Sequence, residues 1–237
     1  MRILDFVVTV IYFHFCGAFH KDGVGCGFES SWLESVVMSM KLNKQGFHRD
    51  LVYVVRHEPT SHPVKALLLH QLPNGVYMDQ YQLADLKEEM GLQVLLDSAL
   101  DLEAPAHVSS PFTAFVFLSP PDLLQAAVPV HGRYHKASTL GGWERVIIKP
   151  PRLLLRPEHC DTVNPGSSHR LVDAPCTIQN QSLCSWVEIQ GLQIPSVSLE
   201  LPVGDSSLII PVCAVTTLVS VLCSAFLFRA VWKHGIF

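Results

Sequence analysis

From Leu208 to Phe228 the chain runs through LIIPVCAVTTLVSVLCSAFLF without a single charged residue. As an α-helix rising ~1.5 Å per residue, this stretch reaches roughly 31 Å, close to the ~30 Å hydrocarbon core of a bilayer. A helix apolar on every side has no polar face for water, so the run predicts a membrane span. Asp205 precedes it, and Arg229, Lys233 and His234 follow it. Cations on the far flank place that end in the cytosol and everything before Ser207 on the lumenal or extracellular side. Pro211 falls in the first turn, where its missing N–H leaves no helical bond unmade.

The organisation that follows is a lumenal domain over residues 19–207, a span over 208–228 and a short cytosolic tail over 229–237. Residues 1–18 read as an atypical secretory signal: Met1-Arg2, an apolar run from Phe6 to Phe15, and the small-residue stretch Cys16-Gly17-Ala18. Asp5 is unusual at the edge of such a run, and an uncleaved anchor is the alternative. The net charge of −4 and the absence of any Lys/Arg run give no footprint for nucleic acid.

Of seven cysteines, Cys16 falls in the signal, and Cys213 and Cys223 fall in the span. Cys26, Cys160, Cys176 and Cys184 remain, an even set in a compartment that oxidises thiols. Cys176–Cys184 is the short-loop pairing and leaves Cys160 with Cys26, while pairing Cys160 with Cys176 or Cys184 fits as well. Asn180-Gln181-Ser182 is an N-glycosylation sequon in a polar turn.

Short strand-like runs alternate with turn signals through the ectodomain. Leu51–Val55, Val64–His70, Phe112–Leu118, Ala126–Val130 and Val146–Lys149 are such runs, and Pro73-Asn74-Gly75 is a turn with a mechanism. Val197, Leu199 and Leu201 alternate with Ser198 and Glu200, the period of a half-buried strand. Residues 21–45 are too mixed to assign. Tyr81–Met90 sets Leu83, Leu86 and Met90 on one helical face. The expected fold is therefore mostly β: a sandwich-like lumenal domain with one short helix, plus a single C-terminal transmembrane helix.

Catalytic chemistry is hard to find. His57-Glu58-Pro59-Thr60-Ser61-His62 spaces its histidines five apart, and Pro59 breaks the helix a zincin needs. His131 and His135 are four apart, ~13 Å on a strand, with no carboxylate beside them, which favours a packing role. Asp101-Leu102-Glu103 imitates an acidic metal-sugar motif but runs into Ala104-Pro105, as a strand end does. No P-loop, GxSxG or GxGxxG signature occurs. The reading assigns no catalytic, cofactor-binding or metal residues.

Seven collinear segments carry a resemblance. They are Gly46-Phe47-His48-Arg49-Asp50-Leu51, Leu72–Ala84, Asp101–Pro105, Pro129–His135, Ala174-Pro175-Cys176, Cys184-Ser185-Trp186 and Leu201-Pro202-Val203-Gly204. Together, over about residues 38–235, the chain resembles the PIG-X family, which includes the yeast protein Pbn1. The resemblance implies a non-catalytic endoplasmic-reticulum membrane subunit without cofactor or small-molecule substrate. Its partner is the multi-spanning mannosyltransferase PIG-M, which it stabilises. That enzyme moves the first mannose from dolichol-phosphate-mannose to the GPI precursor. One helix cannot enclose a site for two lipid-linked substrates, so topology independently argues against catalysis. Thr216, Thr217, Ser220 and Ser224 give the span a small hydroxyl face suited to helix packing. The alternative function is a cell-surface adhesion or receptor ectodomain on the same anchor.

Overall fold

Alternating burial builds most of the domain in the computed structural model, which describes residues 26–59, 63–118, 124–158, 163–164, 169–179 and 182–235. The first elements are β1 (Cys26–Gly27), α1 (Ser30–Ser35), β2 (Val37–Asn43) and β3 (His48–Arg56). Next come β4 (Val64–Leu72), β5 (Val76–Tyr77), α2 (Gln80–Met90), β6 (Gln93–Leu96) and β7 (Phe112–Leu118). They are followed by β8 (Leu124–Gly132), β9 (Gly142–Ile148), β10 (Arg152–Pro157) and β11 (Val163–Asn164). The chain closes with β12 (Arg170–Pro175), β13 (Leu183–Glu188), β14 (Val197–Val203), a 3-10 turn at Ser206–Leu208 and α3 (Ile209–His234).

Two larger antiparallel sheets, ordered β12-β13-β10-β4-β7-β6 and β2-β3-β8-β5, share one core. The ribbon β14-β9 adds Val146, Ile148, Leu199 and Leu201 to it. A hydrogen bond crosses that core. Tyr53 on β3 donates its hydroxyl to Nδ1 of His70 on β4 at 2.6 Å, and Nε2–H of His70 donates to the carbonyl of Lys149 at 2.7 Å. The two acceptors fix the tautomer, and a buried polar pair so satisfied locks the register of one sheet on the other.

The six-stranded sheet also buries part of its outer face. Leu67, Phe117, Leu154, Ala174 and Trp186 form a second cluster there, with Cys184 packed against it. The Cys176–Cys184 disulfide joins the ends of β12 and β13, its Cα atoms 5.1 Å apart. Sequence alone left this pairing open. The side chain of Cys26, Cys160, the Asn180 sequon and the signal over residues 1–18 lie outside the described residues.

Each expected strand is present and most are longer. The mixed region yields both α1 and β2, so the described residues of the domain include two short α-helices where one was expected. In β2 Met38, Met40 and the partly buried Leu42 turn inward, and methionine between Ser39 and Lys41 is a weak strand signal. The helix is capped by Asp79, whose carboxylate accepts from the amides of Tyr81 and Gln82, and it ends at Gly91 with φ of 70°. Its expected apolar face holds only in part. Leu83 is buried, Leu86 is half-buried and Met90 is exposed, because the last turn runs beyond the sheet. The membrane-spanning candidate is one continuous helix of 26 residues with none of them buried.

Candidate functional site

Four of the seven resemblance segments, distant in sequence, meet at one end of the four-stranded sheet. Strand pairing does this: His131 on β8 stands between His48 on β3 and Tyr77 on β5. The imidazole of His131 meets His48 edge-on at 4.6 Å and stacks on Tyr77 at 5.0 Å. Its Nε2 lies 2.9 Å from Oε1 of Gln82 on α2. That oxygen only accepts, so Nε2 carries the proton and Nδ1 is bare. Burial, reinforced by the neighbouring His48, lowers the His131 pKa and keeps the ring neutral.

Arg133, two residues on, completes the cluster. It is almost fully buried. Its guanidinium lies 4.9 Å over the Tyr77 ring. One terminal nitrogen donates to the carbonyls of Asp101, at 2.7 Å, and Ala104, at 2.6 Å. The acidic pair Asp101 and Glu103 is therefore a turn: the Asp101 carboxylate accepts from the amides of Glu103 and Ala104, and Arg133 clamps the same loop from beneath. Desolvation is the largest influence on this guanidinium and lowers its pKa, while Tyr77 and Asp101 oppose the change.

Backbone bonds knit the segments together. The amide of Gly132 donates to Phe47, that of Arg133 to Gly75, and that of Ala106 to Tyr134; the side-chain amide of Asn74 donates to Ala106. Gly132 has no room for more. A Cβ there meets Leu201 at 2.6 Å, and Leu201 is fully buried. Thus the Leu201-Pro202-Val203-Gly204 segment is tied to the same place.

This arrangement ties distant segments of the chain to one another through hydrogen bonds and ring contacts. One terminal nitrogen of Arg133 serves both carbonyls, while its Nε and the Nδ1 of His131 are buried without a hydrogen-bond partner, and among the described residues no three His, Cys, Asp or Glu side chains gather to hold a metal. His131 and His135 do not converge. His135 instead lines an open depression of about 440 Å³ with Asn74, Lys136 and Trp143. His57 sits in a loop against Trp32, and His62 lies outside the described residues. The rigid cluster presents Tyr81 and Tyr134 to solvent, both more than two-thirds exposed, and Phe47 supports Tyr134 with ring centroids 4.9 Å apart. Tyrosines held on a stiff base are common anchors of protein interfaces.

Sequence reasoning singled out His131 and His135 as a pair and missed the central parts played by Tyr77, Gln82 and Arg133. The signal was available in the turn Pro73-Asn74-Gly75, which carries the chain from β4 in one sheet to β5 beside β8 in the other. The second candidate element is α3, which is long and apolar enough to cross a membrane. Its Thr216, Thr217, Ser220 and Ser224 are exposed, as are the free thiols of Cys213 and Cys223.

Comparison with known proteins covers the segments that form this cluster. The family described as PIG-X / PBN1 matches residues 44–232, a span that takes in the whole cluster and nearly all of α3. Three curated relatives named "GPI alpha-1,4-mannosyltransferase I, stabilizing subunit" are similar over 214 residues. The human and rat proteins are 31% identical and the mouse protein 30% identical, over 85% of this chain and 82–84% of theirs. With a family match across most of its length and relatives of this identity and coverage, the chain belongs to the PIG-X / PBN1 family.

Proposed function

We propose that this chain is the non-catalytic, stabilising subunit of a GPI α-1,4-mannosyltransferase I. The observation that carries this reading is the match to relatives bearing that name along 85% of the chain. In this reading the partner is the catalytic subunit PIG-M, which transfers the first mannose from dolichol-phosphate-mannose to the GPI precursor. The chain resides in the endoplasmic-reticulum membrane as a type I protein, with residues 19–207 in the lumen, 208–228 in the bilayer and 229–237 in the cytosol.

Stabilisation acts by mass action: a subunit that binds only the folded enzyme lowers the free energy of that state by RT ln(1 + [L]/Kd). The exposed tyrosines beside the His131–Arg133 cluster supply the lumenal contact, and the hydroxyl face of α3 supplies the contact within the bilayer. The covalent features follow the same compartment. Asn180 is glycosylated, and Cys26 pairs with Cys160. That second bridge is supported by the Cys176–Cys184 bond, which leaves those two cysteines over, and by the parallel pairing of Cys26 with Val163 on β11. Residues 1–18 direct the chain to the membrane.

The test is affinity capture of the full chain from microsomes in a mild detergent. PIG-M is expected to co-purify and to be lost when Tyr81 and Tyr134 are both changed to Asp. Capture that recovers the chain alone, at intact expression, contradicts the reading.

A further inference from the structure

Leu140 is 93% exposed and Trp143 70% exposed, two large apolar side chains on one turn that leave most of their surface uncovered by the domain. Their position is not arbitrary. Gly142 pairs with Val203 and Trp143 with Pro202, so β9 begins where β14 ends. Gly141 and Gly142 turn the chain there with φ of 57° and 105°. The turn is then bolted to the segment that leads into α3. The amide of Ser138 donates to Gly204 at 3.0 Å, the amide of Ser206 donates to Ser138 at 2.9 Å, and the Ser138 hydroxyl donates to Gly141 at 3.2 Å.

Those bonds fix a depth. From Ser206 to Ile209, where α3 begins, is three residues, ~6 Å at the ~2 Å rise of a 3-10 turn. The polar layer on each side of a bilayer is itself only ~5–8 Å thick, the difference between the ~40–45 Å total and the ~30 Å core. A turn hydrogen-bonded to residues 204–206 therefore sits at headgroup level. Tryptophan, with an apolar ring and one N–H donor, is the residue enriched at that level, and leucine gains by reaching the acyl boundary below it.

We propose that the Ser138–Trp143 turn is a second membrane contact, with Leu140 entering the acyl boundary and Trp143 lying among the headgroups of the leaflet that α3 enters. A single helix leaves a domain free to tilt; helix and turn together define a plane. They set the inclination at which the His131–Arg133 face is offered to a partner in the same membrane. Lipid is the occupant because the chain's own helix sets the height of the turn, whatever else is bound. The inference rests on α3 being a membrane span.

Photocrosslinking distinguishes the cases. p-Benzoylphenylalanine is placed singly at positions 140, 143, 147 and 218 of the full chain in microsomes carrying radiolabelled phosphatidylcholine. Position 147 is the internal control, being exposed on the same strand but ~13 Å farther along it. Position 218 lies in the middle of α3. Lipid adducts are expected at 140, 143 and 218, each at least about fivefold above position 147. If 218 takes lipid while 140 and 143 label no better than 147, the turn is not a membrane contact. A protein adduct replacing the lipid adduct at 140 overturns the proposal in favour of a subunit surface. Absence of lipid at 218 as well removes the span itself, and the proposal with it.

Discussion

Trp186→Ala is expected to lower the unfolding free energy of this protein by about 3–5 kcal/mol, the range for truncating a buried aromatic side chain. Trp186 is 1% exposed and forms the centre of the outer cluster with Leu67, Phe117 and Leu154, while its indole N–H donates to the carbonyl of Ala174 at 3.3 Å. Alanine leaves a cavity that the cluster cannot close, because the Cys176–Cys184 bridge pins the loop above it. Against a total of about 5–15 kcal/mol, such a loss leaves little margin. Thermal melts of the full chain in detergent measure it, and chain abundance in cells should fall in parallel. Trp143→Ala, at an exposed position, should leave the melt unchanged. Equal melts for the two variants would show that the outer cluster contributes nothing.

The second large effect is an acid sensitivity that sits in the core. Burial lowers the His70 pKa from 6.5 to about 4, the bond to Lys149 only partly opposing it. The folded state therefore holds this ring neutral, and the unfolded chain binds a proton that the fold excludes. Its contribution is complete above pH 6.5 and is lost as pH falls from there to about 4, amounting to about 3 kcal/mol. Stability measured by denaturant titration at pH 7 and pH 4.5 should differ by most of that amount. His131, also held neutral by burial, adds in the same direction. Glu188, whose pKa is lowered by its hydrogen bond to Arg152, acts only once carboxylates begin to protonate. His70→Gln should be less stable at pH 7 yet show a flatter slope between pH 6.5 and 4.5. An unchanged slope would mean that the ring does not titrate as its burial dictates.

How much of this was legible in the sequence follows from how locally each feature is encoded. The long apolar helix α3, a candidate membrane span, is written into consecutive residues. Phe112–Leu118 is found at its full length because aromatic and β-branched residues fill it and prolines bound it. β14 is found because Leu199 and Leu201 alternate strictly with Ser198 and Glu200. By contrast, β10 carries little alternation of its own: Leu153, Leu154 and Leu155 are all buried because both faces of the sheet are covered at that strand. Two-sided burial erases the period on which strand reading depends. β2 is obscured by its methionines and by the mixed composition before it.

The site was legible only as a string of segments. Their collinear order marks the family, but it does not reveal that Arg133 reaches the carbonyls of Asp101 and Ala104, or that His131 lies between His48 and Tyr77. Those contacts depend on strand order, which places β8 between β3 and β5. The role of Gly132 is similarly non-local, since the side chain it must avoid, Leu201, arrives from β14, the last strand before α3. For the exposed pair Leu140 and Trp143, even the strand assignment is insufficient. Their meaning comes from the register of β9 on β14, which lowers the turn to the level of Asp205.

The account depends most on the chain acting through another protein's stability. Pulse-chase of tagged PIG-M in cells with and without this chain measures that dependence. The account predicts that the half-life of PIG-M shortens when the chain is absent, that surface GPI-anchored proteins decline with it, and that re-expression of the full chain restores both. A PIG-M half-life that stays the same in its absence, with surface GPI-anchored proteins still lost, would contradict stabilisation and point to a direct part in mannose transfer.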